Sequence, residues 1–135
     1  MLTIPTVSRV DALTALIAAL AQFAAPIVHL YKTQVTPGPD LDLAAMDAVE
    51  CDFPGYAASA AITWGDVHVD ASSNAIVLGP LVPFLCTGDT IPQDAYGYYL
   101  EAIGLLIGVE PFPVPLPARK NLDFIAVIPQ MSYGQ

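Results

Sequence analysis

The chain has 135 residues, 55% of them hydrophobic and only 13% charged, with a net charge of −9. That length suits one domain with a real core. Four basic residues without a cluster exclude a phosphate-backbone binder, and the sequence has no nucleophile elbow, glycine-rich phosphate loop or zinc-type Cys/His spacing.

Residues 8–24, SRVDALTALIAALAQFA, predict the one clear helix. Ser8 and Asp11 fit a capping pattern, and Asp11 suits the positive helix N-terminus. Val10, Leu13, Ile17, Leu20 and Ala24 form an apolar stripe that Leu16 and Phe23 widen. Pro26 ends the helix. A signal peptide is opposed by Asp11 beside the apolar core. A membrane span is opposed by Gln22, Pro26 and His29, which interrupt the run before about 20 residues accumulate. The helix is therefore expected to pack on the β domain or on a neighbouring subunit. Leu13, Ile17 and Leu20 are candidate interaction residues.

Ile27 to Tyr31 reads as a strand, with His29 a satisfied core or interface residue rather than a base. Val35-Thr36-Pro37-Gly38-Pro39 cannot be a central strand, because each proline lacks an amide donor. The acidic stretch from Asp40 to Asp52 lacks the alternating ligand rhythm of a calcium loop. Leu43 to Val49 suits a short helix with Asp42 near its start. Phe53-Pro54-Gly55-Tyr56 is a turn that returns an aromatic to the core.

Beyond Tyr56 the pattern is β. Ala57 to Thr63 reads as a small-residue strand. Asp66 to Asp70 alternates with its valines inward. Asp66, His68 and Asp70 then share one face at about 6.5–7 Å steps, too wide for one ion. Ala75 to Cys86 is an apolar run broken by Gly79-Pro80 and Pro83, which suggests an edge strand or one that bends between sheets. In the strand Tyr96 to Leu100, Tyr96 and Tyr98 are expected on one face and Tyr99 on the other. Gly97 leaves room there for an aromatic or backbone to come close. Gly104 to Val109 completes a hairpin. Proline then occupies every second position from 111 to 117, so this stretch is extended and not an interior strand. Leu122 to Ile128 is the last expected strand, followed by a short tail. Cys51 and Cys86 are expected as buried free thiols.

Several of these motifs carry a resemblance. Leu30-Tyr31-Lys32, Val35-Thr36-Pro37, Phe53-Pro54-Gly55-Tyr56, Thr63-Trp64-Gly65, Thr87-Gly88-Asp89 and Ala95-Tyr96-Gly97-Tyr98-Tyr99 occur in that order. Over residues 27–108 the chain resembles a family of small phage-encoded virion structural proteins of the head-decoration or cement type. The resemblance implies a non-enzymatic assembly role without cofactor or metal. It leaves the exact place in the particle open; on a tailed-phage head assembled in the host cytoplasm, the acidity favours the outer surface over the DNA-facing one, the alternative being that it only confers solubility. The implied partners are the major capsid protein and sister copies, a homotrimer being favoured, with no nucleic acid and no membrane. The shortage of charge also points to an oligomer or a docked subunit, since an interface core needs little charge. A tail or fibre accessory protein, or a glycan-binding module using the tyrosines of 96–99, is the rival.

The expected fold is mainly β, an antiparallel sandwich or jelly roll of seven or eight strands with one N-terminal helix. Residues 1–135 form one domain. It comprises the helix 8–24 and a sandwich 27–135, with a long connection at 33–56 and a proline-rich arm at 110–118. Phe112, Val114 and Leu116 on that arm are expected to lie against either a partner or their own domain.

Overall fold

The computed structural model describes residues 10–15, 17–18, 25–72, 74–89 and 93–133. Among these, the strands are β1 (Ile27–Tyr31), β2 (His68–Val69), β3 (Ala75–Leu78), β4 (Val82–Leu85), β5 (Gln93–Ala102), β6 (Leu105–Ala118), β7 (Phe124–Val127) and β8 (Gln130–Tyr133). Every pairing is antiparallel. The strands form three small sheets, ordered β1-β5-β6, β2-β3-β8 and β4-β7. The mainly antiparallel β class is as expected, and residues 10–15 and 17–18 are helical. Two four-stranded jelly-roll sheets are not found among the described strands. The break at Gly79-Pro80 splits one apolar run into β3 and β4, which belong to different sheets.

The main core lies between two of these sheets. Val28, Leu30, Tyr98 and Leu100 meet Val82, Phe84, Ile125 and Val127 there, all buried. On the far side of the β1–β5 pair, Tyr31 and Tyr99 pack with Met46, and Val35, Leu41 and Val49 close over them. The long connection thus folds back onto the sheet it leaves. Asp42 caps its short helix, Leu43–Asp47, by accepting from the Ala45 amide at 2.9 Å. A third cluster seats Leu13 on Ala75 and Val77, with Ile17 and Trp64 alongside.

The same connection closes the outer edge of β1. The amides of Val28, Leu30 and Lys32 donate to Ser59 Oγ, Tyr56 Oη and the Val49 carbonyl. The carbonyls of Val28 and Leu30 accept from Ser59 and Cys51. Ala57 to Thr63, expected as a strand, is not one. Its amides reach the Pro26–Val28 stretch at Ser59 and Ile62, a three-residue step that cannot make a period-two ladder.

The β5–β6 hairpin turns on Ile103 and Gly104, with φ of 54° and 70°. Two consecutive left-handed residues match the twist of a two-residue hairpin. β6 runs on through Pro111, Pro113, Pro115 and Pro117, so 110–118 is the far half of an edge strand rather than a separate arm. An edge strand tolerates proline because its missing donors face away from the ladder. Between Ala95 and Gly97 the register shifts. The shift inverts the alternation: Tyr98 joins the main core, while Tyr96 packs with Tyr31 and Tyr99. Tyr96 and Tyr98 therefore do not share a face.

Two smaller expectations also change. β2 is two residues long, with Val67 half-buried but Val69 exposed, because Asp70 starts a turn by accepting from the Ser72 and Asn74 amides. The tail is not free: residues 130–133 pair with β3 as β8.

Candidate interaction surface

Of the candidate helix residues, Leu13 is 1% exposed and Ile17 half-buried, both packed on β3 of their own chain. Leu20 lies outside the described residues. Phe112 and Leu116 are half-buried against the main core, the Phe112 ring 6.3 Å from that of Tyr98. Val114 is 67% exposed. The helical pair packs on β3 while Phe112 and Leu116 pack on the main core, so these candidates form no common surface. Tyr98 and Tyr99 are buried and Tyr96 half-buried, which leaves no exposed tyrosine platform on β5.

The most concentrated polar chemistry surrounds His29, which is buried. Its Nδ1 meets the Glu50 carboxylate, and its Nε2 lies 2.7 Å from Glu101 Oε2. The ring stacks on Tyr99 with centroids 4.6 Å apart. Tyr56 donates to Glu50 at 2.8 Å and Tyr99 to Asp47 at 2.7 Å. Burial, reinforced by Asp47, pushes the Tyr99 phenol far above its ordinary range. Burial does the same to Tyr56, opposed by the Leu30 amide and reinforced by Glu50. Both imidazole nitrogens are occupied, so neither is free to take a proton from a substrate. The cluster ties β1, β5 and the long connection together.

Other reactive groups are equally committed. Cys51 and Cys86 are buried and unpaired, and burial pushes the Cys51 thiol up to about 12, out of the thiolate range. No group of three or more His, Cys, Asp or Glu among the described residues is placed to hold a metal ion.

The surface that the sequence reading missed is the outside of the β4–β7 ribbon. Exposure alternates strictly along both strands. Val82, Phe84, Ile125 and Val127 point inward. Pro83 and Leu85 point outward opposite Ala126 and Phe124, and Leu81 and Ile128 extend the same exposed phase by one position. All six outward residues are apolar. A strand that is apolar in both phases is the signature of a sheet covered on both faces, yet among the described residues this ribbon is covered on one. The signal was present in LVPFLC and FIAVIP, where neither alternate set is polar. Comparison with protein-family models, curated proteins and solved structures returns no match for this chain.

Proposed function

We propose that this chain is a non-enzymatic assembly protein, a decoration or cement subunit on the head of a tailed phage. The motif resemblance over residues 27–108 supplies the particle. The observation that carries the mechanism is the uncovered apolar face of β4–β7. An apolar patch of several large side chains is unusual on a monomer and marks a contact surface. On this reading the protein works by adhesion, burying that face and other exposed apolar groups against capsid subunits and sister copies. The arrangement around His29, with both ring nitrogens engaged, favours a structural role for the most reactive cluster.

Quantitative mass spectrometry of purified source particles tests the reading. Decoration requires copies in number comparable to the major capsid protein. A few copies per particle would move the protein to a tail or fibre, and absence from particles would remove the virion role.

A further inference from the structure

The outer face of the β4–β7 ribbon is the most completely apolar surface among the described strands, and its relief is uneven. Pro83 and Ala126, opposite each other, make a low waist. Phe124 and Leu85 rise at one end, 57% and 41% exposed, and Leu81 and Ile128 rise at the other, 57% and 52% exposed. Leu122 extends the Phe124 end, 71% exposed, with a left-handed φ of 74°. That conformation is strained for leucine, and such strain concentrates at functional surfaces.

We propose that this face is a twofold interface between two copies of this chain. The inference rests on the assembly reading and names the occupant of its surface. Three observations select a second copy. Knob and hollow lie on the same face, so Phe124 of each copy can enter the Pro83–Ala126 waist of the other, as an isologous contact demands. A threefold ring would need two different patches instead. The area also suffices: the face offers on the order of 500 Å² per copy, so a pair buries about 1,000 Å², the threshold for a specific interface. Finally, β4 and β7 carry no ionisable side chain. Two copies of charge −9 can meet there without placing carboxylates against each other.

Analytical ultracentrifugation of the full chain should find a dimer. Phe124→Asp and Ala126→Arg should each weaken it by about 100-fold or more, the scale of a central hot spot, with the near-ultraviolet circular dichroism of the wild type. Val114→Asp, on β6, should leave the dimer unchanged. A gentler variant guards against misfolding. Ala126→Cys should be joined efficiently by a bis-maleimide of roughly 10 Å span, the spacing of face-packed sheets, and Val114→Cys should not. A wild type that sediments as a monomer or trimer overturns the proposal. So does a dimer indifferent to both face variants, or equal cross-linking at the two cysteines. A monomeric protein that is still abundant in particles defeats this interface alone. A dimer absent from particles defeats the virion reading alone.

Discussion

β5 and the β4–β7 ribbon are built alike and finished differently. Between Ala95 and Leu100, β5 resembles the ribbon in carrying no charged side chain on either face. β5 puts Tyr98 and Leu100 into the main core and Tyr99 into the cluster under the long connection. The ribbon puts Phe84 and Ile125 into the same main core but leaves Leu85 and Phe124 outside. In the first case the chain supplies the second cover itself, from residues 35–49. In the second, none of the described residues does so. The difference separates apolar residues that the fold buries on both faces from those it leaves exposed on one.

Two neighbouring residues, one on each face of β4, should differ most. Phe84→Ala empties a core site and should destabilise the monomer by about 3–5 kcal/mol. Leu85→Ser, one residue on, should change dilute-solution stability by no more than about 0.5 kcal/mol. Urea unfolding below the association range measures both. Similar losses would mean that the outer face is covered within one molecule.

Next in size is Gly97→Ala on the covered strand. A Cβ there would overlap the Glu110 carbonyl oxygen and the Tyr31 hydroxyl. Backbone cannot yield as a side-chain tip can, so the cost should be about 2–3 kcal/mol. A glycine between tyrosines was legible as a close-approach site. What approaches was not, because Tyr31 and Glu110 come from the two flanking strands.

Glu50→Ala should follow at about 2 kcal/mol, since it leaves His29 and Tyr56 short of a buried partner. The effect should be confined to the covered side: hydrogen exchange should quicken in β1 and residues 42–56 but not in β4 or β7. The same side governs alkaline behaviour. Burial raises the phenols of Tyr31, Tyr56, Tyr98 and Tyr99. Above about pH 10 the unfolded chain then binds fewer protons than the folded one. Stability should hold below that pH and fall above it, with a slope reduced in Tyr99→Phe. An unchanged slope would contradict the assigned burial.

Local signals carried much of the fold into the sequence. Pro37 and Pro39 marked the connection, Asp42 its helix start, Gly104 the hairpin and Gly79-Pro80 the bend. Each acts on its own neighbours through missing amides, capping oxygens or accessible φ. The failures are non-local. Tyr96 changed partners because of a register shift that depends on β6. Ala57–Thr63 lost its ladder to a connection that engages β1 at three-residue steps. The exposed apolar face was hidden for a related reason: LVPFLC read as an edge or bending strand and FIAVIP as the last strand, and only their pairing shows six apolar side chains pointing the same way.

One substitution on the covered side should stabilise rather than destabilise. Tyr31 is fully buried, and its hydroxyl has no hydrogen-bond partner among the described residues. Burial and then Glu110 raise its phenol. A buried, unpaired hydroxyl costs its desolvation and returns nothing. Tyr31→Phe keeps the ring that packs on Met46 and Tyr99 and removes only the oxygen. It should therefore stabilise the monomer by about 0.5–1 kcal/mol. The same oxygen is one of the atoms that a Cβ on Gly97 would strike, so the two changes should couple. In a double-mutant cycle, Gly97→Ala should cost less in the Tyr31→Phe background by about 0.5–1 kcal/mol. The relief should be partial, because the Glu110 carbonyl and the ring carbon that bore the hydroxyl stay in place. If Tyr31→Phe instead destabilises the chain, the hydroxyl has a bound water as partner. The covered face of β5 would then be wetter than its packing indicates, and its contrast with the open ribbon correspondingly weaker.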